Sequence, residues 1–96
     1  MPFIQIGELP ENAYRILTIP TNQAGTKQVV IKGRSITVLS KGDTNWIMRI
    51  GARTAAPIQA DDLVDGTHFT IQFDGLWFEL PGGGSNPIKL FIGGRG

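Results

Sequence analysis

Apolar and polar residues alternate most regularly at 67–80 (THFTIQFDGLWFEL), where Phe69, Ile71, Phe73, Leu76, Phe78 and Leu80 fall around a central Asp74-Gly75. Asp-Gly between two alternating runs signals a two-residue hairpin, because both central residues of a type I′ turn need positive φ. Closed there, the hairpin sets Phe73 against Leu76, Ile71 against Phe78 and Phe69 against Leu80. All six then share one face and form the expected core. His68, Thr70, Gln72, Trp77 and Glu79 take the other face.

The rest of the chain shows the same period of two in shorter pieces. A first short strand is predicted over 2–6, then a turn over 8–12. In 13–19 (AYRILTI), Tyr14, Ile16 and Thr18 share one face and Arg15, Leu17 and Ile19 the other; Pro20 ends the run because it cannot donate to a ladder. Turn formers fill 20–26. Strands follow at 28–32 (QVVIK) and 35–40 (SITVLS), joined into a hairpin by Gly33-Arg34. In 45–50 (NWIMRI), Trp46, Met48 and Ile50 face one way. The segment 51–65 shows no helical stripe, only room for one turn around 61–64 capped by Asp61 or Asp62. A flexible loop, 81–86 (PGGGSN), leads to the last strand, 87–92 (PIKLFI), and a loose tail, 93–96. Seven or eight short strands with frequent turns predict an all-β domain spanning 1–96, an antiparallel β-sandwich or small jelly roll.

Composition adds exclusions. Thirteen glycines and six prolines among 96 residues suit short strands and tight turns, and the absence of cysteine removes disulfides and thiolate sites. A net charge of +1, with the charges scattered, makes no electrostatic case for nucleic acid or an anionic membrane. No apolar run approaches the roughly 20 residues of a spanning helix. The start, MPFIQIGELPEN, lacks a basic segment followed by an apolar run, which reads as a soluble product made inside a cell.

Candidate chemistry is thin. His68 is the single histidine and reads as a surface residue. Asp61, Asp62 and Asp65 lack the alternate oxygen ligands and closing glutamate of a calcium loop; their expected role is capping and turn formation, with cation binding left open. Asp74 and Glu79 lie in one predicted hairpin and make no case for a glycosidase pair. Gly82, Gly83, Gly84 and Ser85 resemble a phosphate loop in composition but lack the Lys-Ser/Thr and the helix that should follow. The expectation is a protein without catalytic residues, cofactor or metal. Trp77, on the outer side of the predicted hairpin, marks a contact surface unless a loop or second sheet covers it. Trp46 and the loop residues Gly82, Gly83, Gly84, Ser85 and Asn86 complete the set of protein-contact candidates.

Three stretches, SITVLSKGDTNWIMRI from Ser35, FTIQFDGLWFELPGGGSNP from Phe69 and the closing IKLFIGG, resemble the small all-β virion proteins of tailed bacteriophages in their short β-branched strands, Asp-Gly turn and Pro-Gly-rich loop. The resemblance implies a capsid decoration protein or minor virion component, assembled in the host cytoplasm, that binds the major capsid protein or another virion protein and stabilises the shell. Independently of the resemblance, the limited core of so short a chain, the outer Trp77 and the exposed strand edges predict a homo-oligomer, dimer or trimer, with association covering the indole; in a decoration protein the glycine-rich loop would order on the shell. The alternatives are a carbohydrate-binding module using Trp77 or Trp46 as a stacking platform, and a small inhibitor of a host enzyme.

Overall fold

A single strand of sixteen residues, β3 (Gly25–Ser40), runs through the molecule and pairs with four others. The computed structural model describes the backbone of residues 3–8 and all atoms of residues 14–94. Its remaining strands are β1 (Phe3–Glu8), β2 (Tyr14–Ile19), β4 (Ile47–Ile50), β5 (Ile58–Gln59), β6 (His68–Phe73), β7 (Leu76–Leu80) and β8 (Ile88–Gly93), with one 3-10 turn at Ala60–Asp62. The fold is all-β, as the alternation predicts. The first half of β3 lies between β1 and β7, and β7 leads on to β4 and β5. The second half lies between β8 and β6, and β8 leads on to β2. Every pairing is antiparallel except that of β1 with β3, which is parallel and departs from the expected sheet.

Neither predicted hairpin forms. Gly33-Arg34 does not turn the chain; β3 passes straight through it. β6 and β7 pair with β3 and not with each other: His68 faces Thr37, Phe73 faces Gly33, Leu76 faces Val29 and Leu80 faces Gly25. The segment 68–80 is therefore one bent path alongside β3, and Asp74-Gly75 is its corner. Gly75 is outside the left-handed region, so the type I′ turn is absent. From Val29↔Leu76 to Gly33↔Phe73, β3 advances four residues while its partner advances three. From Gly33↔Phe73 to Ser35↔Thr70, β3 advances two and its partner three. The two extra residues cancel, which lets both strands bend from one half to the other while keeping register.

The same irregularity switches the inward parity. Val29, Ile31 and Gly33 are buried in the first half of β3, Ile36 and Val38 in the second; along the partner path the switch runs from Phe73 to Leu76, Phe78 and Leu80. Gly33 sits at the crossing because a Cβ there would come within 2.9 Å of the Phe73 ring, the Ile92 side chain and the Gly93 carbonyl. Of the six residues expected in the core, Phe73, Leu76, Phe78 and Leu80 are buried and Phe69 is half-buried against them, but Ile71 is 43% exposed. Ile71 belongs to the bulged stretch opposite Arg34, where alternation no longer decides direction.

Buried side chains of both halves form one cluster, including Leu17, Ile19, Ile88, Leu90 and Ile92 from β2 and β8 and Trp46 and Met48 around β4. Trp46 is wholly buried, edge-on to Phe78 with centroids 5.9 Å apart, and its Nε1 donates to the Lys41 carbonyl at 2.7 Å. That placement corrects its assignment as a contact residue: the strand NWIMRI turns Trp46, Met48 and Ile50 inward together, and an indole is tolerated there because its N–H has a partner.

Candidate interaction face

The outward side chains of β2, β8, β3 and β6 form rows across the second half of the sheet. The register aligns Ile16, Phe91, Thr37 and His68 in one row and Tyr14, Gly93, Ser35 and Thr70 in the next. Tyr14 is 62% exposed and Ile16 53%, and Leu39 also stands out from this half of β3. The Tyr14 and Phe91 rings stack at 4.9 Å with planes 12° apart. An apolar patch with an ordered aromatic pair at its centre is thus left facing solvent, the feature that marks contact surfaces more than scattered leucines do.

Beside the patch, the bulged stretch of β6 opens a hollow of about 480 Å³ between Arg34, His68, Thr70 and Gln72. Thr37 Oγ1 and His68 Nδ1 share a hydrogen bond of 2.7 Å, which fixes the imidazole at the end of the apolar row. The pair has the spacing of a hydroxyl and a base and is exposed to solvent.

Trp77 lies on the outer side of the first half, as expected, but half-buried. Its ring carbons would stand 3.0 Å from a Cβ at Gly75, so the indole leans back over the corner of its own chain. Arg49, directly opposite Trp77 on β4, donates to the Ala55 carbonyl at 2.7 Å and approaches Glu79 at 3.7 Å. These contacts draw the loop after β4 over the face and leave a cleft of about 360 Å³ lined by Trp77, Arg49, Arg53 and Glu79.

The glycine-rich loop is anchored, contrary to its reading as a flexible connection. Gly83 and Gly84 amides donate to the carbonyls of Asn22 (3.3 Å) and Thr21 (3.0 Å), and the buried Thr21 hydroxyl donates to the Asn86 carbonyl at 2.7 Å. Both Asp43 carboxylate oxygens accept from the Ser85 amide, at 3.1 and 3.0 Å, and one accepts from Asn86 at 3.3 Å. A Cβ on Gly84 would overlap the Thr21 side chain. Gly82, at φ +84°, approaches the Ala24 amide so closely that a Cβ would stand 2.8 Å from it. The glycines serve close backbone approach here, not mobility.

The acidic loop is likewise occupied by the chain itself. The Lys41 ammonium donates to the Leu63 carbonyl at 2.9 Å and the Ala60 carbonyl at 3.3 Å, and Asp65 accepts from the Lys41 amide at 3.0 Å. The helical turn expected nearby is the 3-10 turn, whose capping position is Gln59 and carries no side-chain cap; neither Asp61 nor Asp62 caps it. Among the described residues, no three histidine, cysteine or acidic side chains gather as metal ligands. No described helix is long and apolar enough to cross a membrane. The loose tail is described only as far as Gly94: Gly93 belongs to β8, and Arg95 and Gly96 lie outside the described residues, as do most of the turn expected at 8–12 and the start of the first strand.

Sequence reasoning placed the surface aromatic at Trp77 and missed Tyr14, Ile16, Leu39 and Phe91. The signal was there in β2 and β8, which are apolar on both parities: Tyr14 and Ile16 back onto Leu17 and Ile19, and Phe91 onto Leu90 and Ile92. No protein-family model matches the chain, and no curated protein or solved structure is significantly similar to it.

Proposed function

We propose that the protein is a non-catalytic structural component that works by docking the Tyr14–Ile16–Phe91 patch on another protein, as a decoration or minor protein of a tailed-phage particle. The observation behind the contact reading is the ordered, outward aromatic pair on an apolar sheet face. The virion setting rests on the resemblance in the strands from Ser35, Phe69 and Ile88. In this reading the partner is the major capsid protein or a neighbouring virion protein, and binding covers apolar area on an already folded domain.

The test is mass spectrometry of purified tailed particles from the chain's source. A shell component is present at a fixed ratio to the major capsid protein, and replacing Tyr14 and Phe91 together by serine lowers that occupancy at unchanged folding. Particles lacking the chain would overturn the virion reading; full occupancy by the double variant would overturn the face. Retention of the wild-type chain on insoluble polysaccharide, lost on the same substitutions, would put a carbohydrate-binding module in its place.

A further inference from the structure

We infer that the open edge of β2 pairs with β2 of a second copy of this chain, joining two domains through one continuous antiparallel sheet. Among the described residues β2 has a single strand partner, β8. No described strand lies along its outer edge, to which alternate residues of the six turn their backbone donors and acceptors. Exposed edges are ordinarily blunted by proline, bulges or repeated charge. β2 has none of these: its six pairs with β8 run without a register shift, it contains no proline, and its one charge is Arg15. Tyr14 and Ile16, its most exposed apolar residues, stand on this edge strand.

Symmetry restricts how two copies meet. Pairing identical antiparallel strands edge to edge requires a twofold axis perpendicular to the sheet. Directly opposite residues share a face, so the axis must pass through a residue and not between two. Within 14–19 this leaves two centred registers. One is centred on Ile16, with Tyr14 opposite Thr18 and Arg15 opposite Leu17. The other is centred on Leu17, with Ile16 opposite Thr18 and Arg15 opposite Ile19. Both keep the two guanidinium groups off one another and set apolar or β-branched side chains across the seam, so the charge pattern of the strand is compatible with itself. Either register places both Tyr14–Phe91 pairs on the same side of the joined sheet. A second copy fits this edge better than an unrelated peptide because the strand supplies its own complement in both faces and charge. A seam this short falls at the small end of protein interfaces, at most roughly 1,200 Å², where association is weak.

The experiment is sedimentation velocity on the whole chain across micromolar concentrations, with circular dichroism as the folding control. The expected mass rises from one chain of 10.4 kDa toward twice that value. The double substitution Ile16→Lys with Thr18→Lys sets ammonium groups directly opposite one another in both registers. Its mass is expected to stay at one chain, with an unchanged β spectrum because both positions are exposed. A cysteine-free chain allows a second reading that needs no destabilisation. Ile16→Cys alone cross-links on oxidation if Ile16 is on the axis, and cross-links only with added Thr18→Cys if Leu17 is. A wild-type monomer throughout, or a dimer that neither cross-links nor responds to the lysines, would overturn the inference. Because these readouts need no virion partner, they stand or fall separately from the docking role.

Discussion

The two halves of the sheet treat their aromatic side chains in opposite ways. In the first half Trp46 is sealed in the core with its N–H bonded, and Trp77 lies back over Gly75 beside the Arg49–Glu79 contact. In the second half Tyr14 and Phe91 stack on one another and face outward from an apolar row. Aromatic area in the first half is used to hold the domain together; in the second it is ordered but uncommitted. The difference teaches that an aromatic on a strand's outer parity is not by itself a contact residue. What matters is whether its surroundings take it up, as the Gly75 corner does for Trp77.

The comparison is broken most strongly at Trp46. Trp46→Ala removes the largest buried side chain and its hydrogen bond to Lys41, and should cost about 3–5 kcal/mol, most of the stability of a small domain. Urea titration reads this directly, and a midpoint near wild type would show that the indole does not sit in the core. Trp77→Ala should cost about 1–2 kcal/mol, because the ring is half-buried and packs on one corner. A loss as large as that of Trp46 would show that the two indoles are equally committed. Smallest is Tyr14→Ser, expected within about 0.5 kcal/mol of wild type in the same titration. A large loss there would make the Tyr14–Phe91 stack part of the scaffold and remove the contrast. Ile71→Ser sharpens the point from the other side: an apolar residue on an alternating strand, yet exposed, and expected to unfold no earlier than wild type.

Ile71 also marks where local pattern stops being informative. The inward face of β7, the shared face of Trp46, Met48 and Ile50, and most strand positions were legible from alternation, since burial of one side is all that alternation encodes. The partner of each strand was not. Asp74-Gly75 satisfies the local rule for a hairpin, but residues 68–80 find a longer complement far back in the chain, in β3, and the corner bends without reversing. Gly33-Arg34 looked like a turn for the same reason and is a place where a strand crosses and changes parity. The glycines of 81–86 gave the right composition for mobility, while the groups that pin them, Thr21 and Asp43, lie far away in the chain. The apolar patch depended on knowing that nothing described lies over β2 and β8, which only the strand order supplies.

Sharing β3 between the halves has a consequence for how the chain reaches its native state. Its principal pairings join distant segments, β3 with β7 and β8, β2 with β8, and the nearest pair, β4 with β5, contributes only two residue couples. Among the described residues this short pair is the only one made by consecutive strands, so loop-closure entropy must be met before most of the pairing rewards it. Folding on the millisecond-to-second scale is the expected regime for such topology. Because β3 and the bent path of 68–80 belong to both halves, neither half has a complete set of neighbours alone. The domain should open as one unit, and the amides of Val29 and Val38, at opposite ends of the shared strand, should exchange with solvent at the same slow rate.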